Sequence, residues 1–360
     1  MVDATWAGPG SDWNTNANWS QQMMPDGTAI FAGASPTTVT FSTSTSIETV
    51  QFDDGPYTFD LNGQFLSITG IGIVDNTGLA PTFNGPGFLE FDNAATAGDA
   101  IINNTPGATT FTGTSTAGNA TIANSGGGLL SFTDTSDAGS ALITTNNGSA
   151  TQFSTNSNGG FAQFITNAGG TVDFSGTSGP DGLNHITAGS IAGAGTYHLG
   201  ANELTVGGNS AATTTVSGVI DGIGGSLVKA GAVTLILSGS NTYTGATTIT
   251  NGVLEVDGSI SSAVTVQDGG TLDGIGTTGV VTVEAGGTLA PGAGAGILHT
   301  GDAAFTATAR FTIELGGTGA GEFDKLQVSG GVNLGGATLS GSLINGFTPT
   351  KRRPLCHHRQ

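Results

Sequence analysis

One serine, three histidines and a scatter of carboxylates are the residues of this chain whose types could do chemistry. Ser115 lies in the run Gly113-Thr114-Ser115-Thr116-Ala117 and is the candidate nucleophile. A serine nucleophile needs a histidine base and a carboxylate to orient that base. His185, His198 and His299 sit in strand-like or turn-like stretches with no catalytic signature around them. Asp53-Asp54 is the adjacent acid pair. Cleaving an acidic polysaccharide beside a carboxylate-held calcium would also require a Lys or Arg, and the first one after this pair is Lys229, far along the chain. Glycoside hydrolysis needs only two carboxylates at a defined separation, and the 26 acids leave that chemistry open. Gly269-Gly270-Thr271-Leu272-Asp273 breaks the tandem glycine and aspartate pattern of a calcium β-roll. No catalytic, cofactor-binding or metal-binding residue is assigned, and no cofactor is expected.

Ser115 has a second explanation. It stands four residues after Phe111, and the same offset in neighbouring segments holds Ala95, Ser136 and Ser157. Those segments form an internal repeat. Phe91, Phe111, Phe132, Phe153 and Phe174 recur every 20 or 21 residues. Six and seven residues after each Phe come Ala97-Gly98, Ala117-Gly118, Ala138-Gly139 and Gly159-Gly160. Eleven after come Ile102, Ile122, Ile143 and Phe164, and sixteen after come Gly107, Gly127, Gly148 and Gly169. A unit of this length is one coil of short strands, too short for a propeller blade. Coils stacked at about 4.8 Å place identical positions above one another. Phe should stack on Phe and Ile on Ile, and Asn104 and Asn124 should form an amide ladder.

Composition points the same way. Gly numbers 63 of 360 residues and only 9% are charged, so amphipathic helices with charged outer faces are not expected. The net charge is −19, and residues 1–350 hold only Lys229, Arg310 and Lys325 against all 26 acids. Nucleic acid and anionic membrane surfaces are therefore excluded as partners. The lone cysteine, Cys356, permits no internal disulfide. No apolar run reaches the length of about 18 residues expected of a membrane helix. Trp6, Trp13 and Trp19 fall within the first nineteen residues. They are read as an aromatic plug over the end of the fold rather than as a stacking platform for sugar.

From Gly225 to Gly258 the texture sharpens to GSLVKAGAVTLILSGSNTYTGATTITNGVLEVDG. Val233, Leu235 and Leu237 alternate with Thr234, Ile236 and Ser238, and Asn251-Gly252 supplies a turn. The order Leu227, Lys229, Gly231, Leu237-Ser238-Gly239, Asn241-Thr242-Tyr243-Thr244-Gly245 and Gly252-Val253-Leu254 resembles the autotransporter-associated β-strand repeat of Gram-negative passenger domains. Val233 departs from the family, which usually has Gly there. Farther on, Val264 to Leu272 recurs as Val281 to Leu289 with a period of 17.

The resemblance implies an all-β fold, a right-handed single-stranded parallel β-helix, the hand also following from the chirality of parallel crossovers. It implies a secreted or surface-displayed passenger with a structural or adhesive role, in place of an enzyme. Its partners would be an outer-membrane β-barrel translocator and a host or matrix glycan or protein, with the passenger itself a monomer. Protease passengers also occur, and the segment around Ser115 resembles the nucleophile region of subtilisin-type enzymes. A β-helix lyase or glycoside hydrolase is the alternative.

The expected division is an N-terminal cap with the Trp cluster over 1–45 and a β-helix with coils of 20–21 residues over 46–220. The β-strand repeat region follows over 221–300, and C-terminal rungs of autochaperone type over 301–350. The basic tail 351–360 is foreign to the rest and reads as a truncation or frameshift. The chain begins without a signal peptide and carries no barrel, so display is expected to depend on a longer parent.

Overall fold

The computed structural model describes residues 1–33, 37–208 and 212–349; the tail and Cys356 lie outside the described residues. Within them the chain is strand and turn, with two short 3-10 turns at Asn16–Asn18 and Ser20–Gln22. No helix among them is long and apolar enough to cross a membrane. Every pairing between named strands is parallel, so the chain winds as a solenoid of about 14 turns.

Each coil has three faces. The first is an eleven-stranded sheet running from Ala4–Thr5 to Val219–Asp221. The third is an eight-stranded sheet that continues through the Gly193–Val216 bridge into a seven-stranded one. The second face starts as a single residue per coil, the bridged column Thr96, Thr116, Asp137 and Asn158. It widens at His185–Ala188, where Asn158 Oδ1 accepts from Thr187 N at 2.8 Å, and from there forms an eight-stranded sheet. As it widens, the first face narrows to two-residue strands such as Ser240–Asn241 paired with Ser259–Ile260. The cross-section thus stays three-sided while its broad faces change places.

Inward positions form columns. Phe91, Phe111, Phe132 and Phe153 pair in register, with centroids 4.8–4.9 Å apart and ring planes within 7°. The next step, to Phe174, keeps 4.8 Å but tilts to 25°, beside a one-residue slip between the paired strands. Ile102, Ile122, Ile143 and Phe164 form the matching column on the third face. Strict alternation explains this order: a one-residue slip would turn every Phe to solvent.

A polar column shares the interior. Asn104 Nδ2 donates to Asn124 Oδ1 at 2.7 Å, and Thr109 Oγ1 donates to Asn104 Oδ1 at 2.8 Å. Asn124 then donates to Thr151 at 3.1 Å, and Thr145 and Thr151 share a bond of 2.8 Å. The amide ladder becomes a hydroxyl ladder, and each of these polar groups keeps a partner.

The 17-residue period appears as Val264 on Val281 and Leu272 on Leu289. Sequence length alone suggests about 17 rungs, and the solenoid has fewer because some coils run long. Gln163 pairs with Ser190, and Ile297 with Lys325. The extra residues leave the coil as excursions, one of them around 178–184 and another around 316–323.

At the N-terminal end Trp6, Trp13 and Trp19 are buried to within 2%. Trp19 lies edge-on to Trp6 at 5.0 Å and to Trp13 at 4.8 Å, and Trp13 stacks on Phe41 at 5.4 Å. Trp19 Nε1 donates to the Trp13 carbonyl at 2.7 Å. With their faces covered, none of the three is a platform for sugar.

Lys229 shows how the repeat region meets its costs. It points inward and is 1% exposed. Its Nζ donates to the carbonyls of Ala230, Gly231 and Asn251 at 2.6, 2.9 and 3.1 Å. The ammonium thereby ties one corner to the corner of the following coil. Burial pushes the group down to about 8. A lysine depressed below its unfolded value carries fewer protons in the folded chain, so stability should rise as pH climbs from about 8 to about 10.5. We expect a gain on the order of 2 kcal/mol across that window, read from urea midpoints. Lys229→Met should abolish the rise; an unchanged slope would remove Lys229 as its source.

Candidate functional site

Ser115 is fully buried in its coil, in the column with Ala95, Ser136 and Ser157. Ser136 and Ser157 donate to the carbonyls of Phe111 and Phe132 at 3.1 Å, while the Ser115 hydroxyl is buried without a partner. A side chain sealed among apolar neighbours cannot meet a substrate. His185 and His198 are engaged elsewhere, each with Nδ1 2.6 Å from a carboxylate, of Asp181 and Asp221 respectively. His299 lies in the strand Ile297–Thr300, away from both. Asp53 accepts from Gln51 Nε2 at 2.9 Å and from Asn76 Nδ2 at 2.7 Å, which makes it an exposed corner brace. These candidates are not brought together.

Asp273 is brought into a site, though not a calcium loop. It stands on the outer side of Gly270–Gly274, in register with Glu255 on the preceding coil and Ala290 on the next. Beside it opens a cleft of about 290 Å³ whose lining includes Glu314, Asp324, Thr312, Ser340 and Ser342. Asp324 braces the cleft, accepting from Gly296 N at 3.0 Å and Glu314 N at 2.6 Å.

Burial pushes the Asp273 carboxyl up to about 7; the Gly274 N–H opposes this, and Glu255, Asp324 and Asp257 add to it. Burial also raises Asp324, against its two backbone donors and with the Glu314 charge adding. A carboxyl that keeps its proton near neutrality beside a second carboxylate is the donor set for general acid–base hydrolysis. No Lys or Arg lines the cleft, so it lacks the cation with which a lyase would neutralise an acidic substrate. No group of three or more potential metal ligands occurs among the described residues.

The cleft is not legible in the sequence because Asp273 stands two coils before Glu314 and Asp324. The one signal available was the eighteen-residue offset between Glu255 and Asp273. A carboxyl raised in the folded state favours folding while protonated, and that contribution is lost as pH rises from about 4 to about 7. Asp273→Asn should therefore stabilise the chain at pH 8 by roughly 1 kcal/mol, after allowing for solvent screening. The difference should vanish near pH 4. Equal midpoints at both pH values would place Asp273 in ordinary solvent.

Asn241 and Tyr243 of the repeat are structural. Asn241 Oδ1 accepts from Ile220 N at 2.9 Å, and its Nδ2 donates to the carbonyls of Gly239 and Ser259 at 3.2 and 3.3 Å, so one amide stitches three coils. Tyr243 is 1% exposed, and its hydroxyl meets Thr247 Oγ1 at 2.6 Å.

Residues 227–256 match the passenger-associated-transport-repeat family model. About 100 residues of the chain are 44% identical to an extracellular serine protease of Serratia marcescens, covering 28% of this chain and 10% of that protein. A similar length is 43% identical to the adhesin BmaC autotransporter of Brucella suis, covering 25% of this chain and 3% of that one. A second extracellular serine protease of Serratia marcescens is 37% identical over 97 residues. The matched stretch makes up a tenth or less of each of these proteins. The chain therefore carries a passenger-associated transport repeat, and its relatives are named for adhesion and for proteolysis.

Proposed function

We propose that this chain, built around a passenger transport repeat, is the stalk of a secreted or surface-displayed autotransporter passenger with a structural and adhesive role. The observation that carries the reading is the outer surface of the stack. Thr248, Thr265 and Thr282 stand in register on consecutive coils, and Thr271 and Thr288 do the same on another face. Such columns present short hydroxyls at the coil spacing of about 4.8 Å. A rigid scaffold holds them in place with little ordering cost on binding. An outer-membrane β-barrel would deliver the stalk, and a host or matrix glycan or protein would meet it.

An array of glycans and matrix proteins, probed with the purified chain beside hydrolase, lyase and protease assays, tests this. Saturable binding without turnover is expected. Turnover of any polysaccharide, lost in Asp273→Asn, would favour the second reading, a glycosidase working in the acidic cleft.

A further inference from the structure

An exposed aromatic surface of the early coils lies where the third face turns into the first. Phe65, Phe88, Ala108 and Leu129 stand in register as one outward column on four consecutive coils. Phe88 is 56% exposed and Phe65 37%. Beside them the corner is made of Gly63, Pro86, Gly87, Pro106 and Gly107, whose small or closed side chains leave an apolar groove of about 420 Å³. Three coil steps make it about 15 Å long, the reach of four or five extended residues.

Charge selects the occupant. Residues 1–228 contain seventeen Asp and Glu and no Lys or Arg. Acids flank both sides of the groove. Glu90 follows Phe88 by two residues on the outward side of the first face, and Asp60 ends the strand that leads into Gly63 on the third. This field repels acidic glycans, nucleic acid and a second copy of the chain. A neutral sugar would need convergent hydrogen-bonding side chains, and none of the lining residues carries one. We propose that the groove binds a cationic amphipathic peptide segment. Its apolar side chains would lie on Phe65, Phe88 and the Gly-Pro shelf, and its Lys or Arg would reach toward Glu90 and Asp60. This names a partner class for the display surface and so rests on the adhesive reading.

The test is fluorescence anisotropy of the whole chain with a short labelled peptide of leucine and lysine. A lysine and serine peptide of equal charge and a leucine and glutamate peptide serve as comparisons. The leucine and lysine peptide should bind at least tenfold more tightly than either, and more weakly as salt rises. Phe88→Ser removes an exposed ring and should leave the circular dichroism unchanged while weakening binding at least tenfold. Glu90→Gln combined with Asp60→Asn should flatten the salt dependence. Equal binding of the two lysine peptides, or no effect of Phe88→Ser, would overturn the proposal. So would a neutral glycan that binds the native chain and not Phe88→Ser. A chain that scores on the matrix and glycan array yet ignores the peptide keeps its adhesive role and loses this groove.

Discussion

Phe132→Ala should cost about 3–5 kcal/mol of stability. The ring is fully buried and lies between Phe111 at 4.9 Å and Phe153 at 4.8 Å. Truncation removes the ring's transfer energy and leaves a void that its neighbours cannot fill. They are held by strands locked in register above and below. The column also makes the loss non-additive. Phe111→Ala and Phe132→Ala share a missing contact, so the double variant should differ from the sum by more than about 0.5 kcal/mol. Urea denaturation of the single and double variants measures both. A loss below about 1 kcal/mol for Phe132→Ala would mean that the ring faces solvent.

Gly239→Ala should be comparably damaging, for the opposite reason. Nothing is lost; there is no room to add. A Cβ at Gly239 would lie 1.8 Å from the Gly218 carbonyl oxygen, and one at Gly258 would lie 2.0 Å from the Gly239 carbonyl. Successive coils turn this corner backbone against backbone. A methyl must therefore pry two coils apart and break the ladder bonds beside them, such as Ser259 N to Gly239 O at 3.0 Å. We expect a loss of about 3 kcal/mol or more, at the upper end of overpacking costs. Ser240→Ala, at an exposed neighbour, should stay within about 0.5 kcal/mol. Similar midpoints for Gly239→Ala and the native chain would mean that the corner is open. The glycine of the Ser-Gly-x-Asn-Thr-Tyr signature is thus a close-approach residue, and the Asn and Tyr after it tie the same corner together.

Much of this architecture is legible in the sequence, because a stacked coil writes its register into its repeats. The Phe and Ile columns, the first amide rung and the 17-residue period all appear at the spacings read from the chain. Three features were not legible. The second face begins as one bridged residue per coil, Thr96, Thr116, Asp137 and Asn158. A one-residue strand has no alternation to detect, so the exchange of broad faces left no trace. The excursions around 178–184 and 316–323 hide coil boundaries, which made the coil count too high. The acidic cleft needed Asp273 stacked against Glu314 and Asp324, which stand two coils later, and no single window of sequence contains all three. The exposed aromatics lie outside the regular repeat. Phe65 and Phe88 lie 23 residues apart, outside the 20–21-residue Phe repeat, and only the register shows that they share one outward column.

Shape tests the central claim, that coils stack into a stalk. Fourteen turns at about 4.8 Å give an axis of roughly 70 Å. Small-angle X-ray scattering should yield a skewed distance distribution, with one peak set by the coil cross-section and a long tail set by that axis. A symmetric distribution, as from a compact sphere of the same mass, would contradict the stacked-coil account.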